Sequence, residues 1–191
     1  AHIVLGVSVW FASDLARMQT LWCGVAFWFL APWWLRHYHF GEQARKRSLA
    51  IKTMACALAI VPAWCAAIIL DQRTGGPLWL LFVLLLVWCA DSCAYFAGRR
   101  FGTTKLAPSI SPGKTTAGVY GALAGCALFA LVFGHFALAV PASNLLAFIA
   151  LCIVTVVFSI IGDLLESLIK RHSQAKDSGT LFPGHGRSEE R

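Results

Sequence analysis

The sequence predicts an all-α fold, a polytopic bundle of helices in an integral membrane protein. Three observations predict it. The chain is 58% hydrophobic and only 13% charged over 191 residues, with a mean hydropathy of +0.68, which does not suit a soluble domain. Its apolar residues come in blocks that reach or approach the roughly 20 residues needed to cross about 30 Å of hydrocarbon. Its basic residues gather on every second connection between those blocks, the pattern of positive-inside topology.

Ile3–Ala12 reads as the remnant of a helix. The chain opens on Ala1-His2 inside an apolar run, without the charged n-region or small-residue cleavage site of a signal peptide, so the expectation is a cut N-terminus. Five membrane helices are expected at Thr20–Leu35, Leu49–Leu70, Pro77–Ala97, Val119–Val140 and Asn144–Leu165. The connection 36–48 holds Arg36, Arg45, Lys46 and Arg47; 98–117 holds Arg99, Arg100, Lys105 and Lys114; the tail holds Lys170, Arg171, Lys176, Arg187 and Arg191. These thirteen of the sixteen basic residues place the three segments in the cytoplasm. The net charge of +7 therefore follows topology, and nucleic acid is not an expected partner. Cys23, Cys56, Cys65, Cys89, Cys93, Cys126 and Cys152 all lie in apolar blocks without a CxxC pair, so they are expected as small buried hydrophobes.

Two acids interrupt the hydrocarbon. Asp91 follows "LLFVLLLVWCA" and Asp163 follows "CIVTVVFSIIG", and an ionised carboxylate at membrane depth costs on the order of 3 kcal/mol. Asp163, Glu166 and Lys170 stand at i, i+3 and i+7, along one face of a helix leaving the last block. Asp91, Tyr95 and Arg99 repeat the device at i, i+4 and i+8. Each stripe starts with a carboxylate near the membrane and ends in a cation. Carboxylates so placed suit Mg²⁺, which takes one or two acids and leaves positions open for phosphates.

Both stripes lead into polar loops. The first reads "GRRFGTTKLAPSISPGKTTAG" over 98–118. Its Gly113-Lys114-Thr115 is not a P-loop, because Pro108 stands where the first glycine belongs and a membrane helix precedes it. What remains is Ser111, Lys114 and Thr115 ahead of a helix N-terminus that favours anions. The tail reads "KRHSQAKDSGTLFPGHG" over 170–186, with Lys170, Arg171 and Lys176 for charge, Asp177 as an acid, and Gly179, Gly184 and Gly186 for close backbone approach. His185 suits a proton carrier or a phosphate donor, and a loop histidine without a role stays equally open.

That tail resembles the signature of the phosphatidate cytidylyltransferases (CDP-diacylglycerol synthases): Ser, two residues, Lys-Arg, four residues, Lys-Asp-Ser-Gly, then Pro-Gly-His-Gly. Ser167, Lys170, Arg171, Lys176, Asp177, Ser178, Gly179, Pro183, Gly184, His185 and Gly186 fall on it. "GDLLES" at 162–167, "ADSCAYFAGRRFG" at 90–102 and "SPGKT" at 111–115 resemble further family segments, so the similarity runs from about Trp79 to Gly186. The resemblance implies a single membrane-embedded domain over 1–191, with N-terminal helices over 1–75, a catalytic part over 76–186 and a divergent end at 187–191. It implies cytoplasmic active-site loops in an integral membrane enzyme, expected in the bacterial inner membrane. The implied reaction joins CTP and phosphatidic acid to give CDP-diacylglycerol and pyrophosphate with Mg²⁺. The bilayer is a further expected partner, and a homodimer is kept as a candidate assembly.

Carried over residue by residue, the resemblance implies Asp163, Lys170, Arg171, Lys176, Asp177 and His185 as catalytic. Ser111, Lys114, Thr115, Asp91, Tyr95, Arg99, Ser178, Gly179, Gly184 and Gly186 are implied in substrate binding, and Asp163, Asp91, Asp177 and Glu166 as metal ligands. Two departures stand out. The family loop continues Thr-Trp-Glu-Gly where this chain has Thr116-Ala117-Gly118. The family follows His-Gly with Gly, two residues, Asp-Arg, one residue, Asp and a closing helix, where this chain has "RSEER". The expectation is a truncated copy impaired by loss of that acid. The competing expectations are a CTP-dependent lipid or polyprenol kinase and a non-catalytic membrane protein.

Overall fold

The computed structural model describes residues 14–40 and 46–172. The element order is α1 (Asp14–Arg36), α2 (Lys46–Asp71), α3 (Gly76–Phe101), β1 (Lys105–Ala107), β2 (Ser111–Thr115), α4 (Thr116–Phe136) and α5 (Ala142–His172). Four helices, α2 from Ser48 onward and α3, α4 and α5 in full, are long and apolar enough to cross a membrane. The first helix was expected among them over Thr20–Leu35 and is not. It does form, but with Trp22, Trp28, Trp33 and Trp34 it carries more tryptophan than any of the other four helices and is less apolar for it. The expected remnant at Ile3–Ala12 lies outside the described residues.

The strongest seam joins α3 to α4, and small residues make it. Gly118, Ala122, Cys126 and Ala130 recur every four residues on α4 and are buried, while Gly134, next in the series, faces Phe148 and Leu145 of α5. Ala90, Ala94 and Gly98 supply the matching face of α3. A Cβ added at Gly121 would lie 2.3 Å from the Ala97 Cβ, and one at Gly125 would lie 2.3 Å from the Cys93 Sγ. In lipid, where burial of apolar surface does not drive helices together, close backbone approach of this kind supplies the dispersion contact that does. The α1–α2 seam uses the same device, with Gly24 against Pro62.

Two core clusters divide the bundle by height. One gathers Phe82 and Leu86 of α3, Ala122 and Cys126 of α4, and Cys152 and Val156 of α5. Phe82 stacks on Phe129 there at 5.7 Å between ring centroids. The other gathers Phe27 and Trp34 of α1, Ala55 of α2, Leu165 and Leu168 of α5, and Ile110 from the turn between the strands. The outward faces stay apolar: Trp22, Phe29, Trp64, Trp88, Leu128 and Phe136 are all exposed. Water would not tolerate so large an apolar surface, and a bilayer covers it. Cys23 and Cys56 are on these outer faces. The expectation that all seven cysteines are buried fails for them, because lipid accepts a thiol as readily as the core does.

The strands are the element the sequence reading left as an open loop. They form a two-stranded antiparallel hairpin pairing Lys105 with Thr115 and Ala107 with Ser111, with the register shifting between. Three and five residues long, with Pro108 and Pro112 among them, they lack the alternating apolar run that would mark strands in advance.

Candidate active site

The hairpin is fastened at its base before it presents any side chain. Thr116 N–H donates to the Thr104 carbonyl at 3.1 Å, and the two threonine hydroxyls meet. Thr115 is the N-cap of α4: extended at φ −124°, it accepts from the Gly118 N–H at 3.1 Å, satisfying one of the donors that a helix start leaves orphaned. A Cβ at Gly102 would come within 2.7 Å of the Thr115 methyl. The buried Thr115, assigned to substrate in the sequence reading, is thus placed in the α3–α4 seam with its oxygen engaged by the cap.

From this base Lys114 projects to α5 and forms an ion pair with Asp163. The lysine side chain is 23% exposed and the aspartate 58%, so the pair lies at the wall of the bundle with the carboxylate open to one side. Asp91 of α3 stands close enough for its carboxylate to feel the charges of both Asp163 and Lys114. The two acids that interrupt the hydrocarbon thus lie within electrostatic range of each other, and Asp163 is the one paired with Lys114. α5 has 31 residues, about 46 Å at 1.5 Å per residue, so it outruns the about 30 Å of hydrocarbon and carries its polar end clear of it.

The stripe on α5 divides its partners. Glu166 Oε1 pairs with Lys170 Nζ at 2.7 Å, while Asp163 reaches across to the hairpin. Arg171 Nε donates to the Ile110 carbonyl in the hairpin turn. On α3, Arg99 Nη1 donates to the exposed Tyr95 Oη at 3.3 Å, one turn beyond Asp91 and in line with the predicted stripe. Ser111 opens β2 opposite Ala107. Lys176, Asp177, Ser178, Gly179, Gly184, His185 and Gly186 lie outside the described residues.

Sequence reasoning missed Lys52. It is 7% exposed, and its Nζ donates to the His172 carbonyl at the end of α5 at 3.1 Å. The one signal for it was a lysine a full turn inside an apolar helix. Lys52 near the start of α2, the hairpin after α3 and the end of α5 are thereby shown to meet at one end of the bundle.

Among the described residues no group of three or more His, Cys, Asp or Glu side chains is arranged to hold a metal ion. Asp91 and Asp163 lie within electrostatic range of each other, and two acids suit an ion that completes its shell with phosphate oxygens and water. With Lys114 and the N-terminus of α4 beside them, the site has the charges to bind a polyphosphate at the membrane surface.

Comparison with known proteins identifies the family. The description "Cytidylyltransferase family" matches residues 2–187. Proteins named phosphatidate cytidylyltransferase are similar: that of Haemophilus influenzae is 51% identical over 109 residues, covering 56% of this chain and 38% of its own length. That of Pseudomonas aeruginosa is 43% identical over 129 residues, 68% of this chain and 47% of its own. That of Thermotoga maritima is 33% identical over 145 residues, 73% and 54%. The chain spans between two fifths and just over half the length of these relatives. The match over nearly all its residues, on a bundle that brings the family-like segments 90–102, 111–115 and 162–167 together, makes this chain a member of the cytidylyltransferase family.

Proposed function

We propose that this protein transfers CMP from CTP to phosphatidic acid, giving CDP-diacylglycerol and pyrophosphate in phospholipid biosynthesis. The observation that carries the reading is the ion pair of Lys114 with Asp163, with Asp91 in range of both charges, at an end of the bundle to which a lipid phosphate and a soluble nucleotide would both have access. A phosphatidate oxygen attacks the α-phosphorus of CTP, the bond to the bridging oxygen breaks, and pyrophosphate leaves. The protein's task is positioning and charge neutralisation. Lys114 and the N-terminus of α4 hold the triphosphate, and Lys114 opposes the charge that builds on the leaving pyrophosphate. Lys170, Arg171 and Lys176 add positive charge, and Tyr95 with Arg99 faces the lipid headgroup. Asp91 and Asp163, with Asp177 as a further acid, would hold Mg²⁺, which when bound would supply neutralisation of phosphate charge. Glu166, paired with Lys170, is the outermost acid of the set.

Lys52 of α2, the hairpin and the end of α5, each within or beside a basic stretch, meet at the site end of the bundle, which supports placing that end in the cytoplasm of a bacterial inner membrane. A homodimer belongs to the reading as an assembly through the apolar outer faces. The deciding assay supplies membranes carrying the protein with CTP labelled at the α- or the γ-phosphorus. Lipid labelled from the α position alone is expected. Label from the γ position would mark a kinase, and label from neither would remove the proposed activity.

A further inference from the structure

We propose that Lys52 is a positioning residue of the site, holding the last turn of α5 where Arg171 reaches the hairpin and the hairpin brings Lys114 to Asp163. A lysine in a membrane helix ordinarily extends its stem and puts the ammonium in water. Lys52 does not, since only 7% of it is exposed, and Ser48 one turn earlier is buried as well. Its Nζ is instead committed to the His172 carbonyl, 120 residues away in sequence. The last carbonyls of a helix have no partner of their own, and a cation at that end also meets the negative pole of the helix dipole. Burial strengthens both effects.

The contact bears on the site through its neighbours. Arg171 adjoins His172 and donates to Ile110 in the hairpin turn. Ile110 is buried in the same cluster as Ala55 of α2 and Leu165 and Leu168 of α5. The end of α5 is therefore clasped from two sides, by the ammonium of α2 and by the hairpin, and Lys114 is carried on that hairpin. Release of the α2 side lets the last turn fray and loosens the hold of Arg171 on the turn that aims Lys114. The N-terminal helices thus contribute to the geometry of a site whose family-like residues all lie beyond Trp79.

The test compares the protein with Lys52→Met, which keeps the stem and removes charge and donor, and Lys52→Arg, which keeps both. Hydrogen exchange is followed in purified protein, and CMP-transfer kinetics in the same preparations. Only the kinetic arm rests on the proposed function. Lys52→Met is expected to speed exchange at least tenfold in 168–172 and in the hairpin while leaving the α3–α4 seam unchanged. It should lower kcat/KM for CTP at least tenfold, and Lys52→Arg should recover most of both. Unchanged exchange at the end of α5, or a rise spread evenly over all helices, overturns the proposal. So does normal kcat/KM in a protein whose last turn has loosened. An exchange shift confined to α5 and the hairpin, in a protein that transfers no CMP in any form, upholds the positioning and removes the proposed function instead.

Discussion

Asp163 marks the point where a helix of hydrocarbon turns polar, and its carboxylate faces a lysine from another element. Removing the charge while keeping the shape separates chemistry from packing. Asp163→Asn is expected to lower Mg²⁺-dependent CMP transfer by at least two orders of magnitude, about 2.7 kcal/mol of barrier, with the protein still in the membrane at its usual amount. Turnover near normal, with unchanged Mg²⁺ dependence, would reduce the residue to a partner for Lys114. The sequence marked this residue because a carboxylate after eleven nonpolar or hydroxyl residues is costly. It gave no sign that Lys114 would be the partner, since the two lie on elements 49 positions apart in the chain.

At the scale of elements, the α3–α4 seam decides where the hairpin can stand, because the hairpin spans the end of one helix and the start of the other. Adding bulk inside the seam is expected to force the two helices apart. Gly125→Leu places its Cβ 2.3 Å from the Cys93 Sγ, and overpacking of this kind typically costs 1–3 kcal/mol, roughly. Gly113→Ala, on β2, meets nothing within 4 Å and should leave stability unchanged. Thermal aggregation of the detergent-solubilised protein reads both: a midpoint several degrees lower for Gly125→Leu, and the parent value for Gly113→Ala. Equal midpoints would show that the seam yields. The helices were legible because hydropathy and length are local properties. The hairpin was not, because its strands are held by the helix ends and by Ile110 in the core, while their own sequence favours turns.

Across the whole molecule, the start of α2, the hairpin and the end of α5, each within or beside one of the basic segments, come together at one end. The prediction is that they face the cytoplasm together. In a cysteine-free background, His37→Cys and Ser109→Cys should label from the cytoplasmic side and Thr74→Cys from the opposite side, all three positions being exposed. Labelling of all three from one side would break the alternation on which the topology rests. The apolar outer surface and the polar end of the bundle are two consequences of one arrangement.

By itself, the sequence determined the membrane class, four of the spans, the alternation of charge and the family-like segments. Each of these is written in neighbouring residues, as runs of hydrocarbon, helical spacing or fixed motif positions. The tertiary structure alone decided that Asp91 comes within range of the charge of Asp163, that Lys114 meets Asp163, that Arg171 reaches the hairpin turn, and that Lys52 reaches the end of α5. These contacts depend on which helices lie side by side and how closely. Glycine and alanine seams set that distance through the fit of one backbone against another, and such a fit exists only once both surfaces are in place.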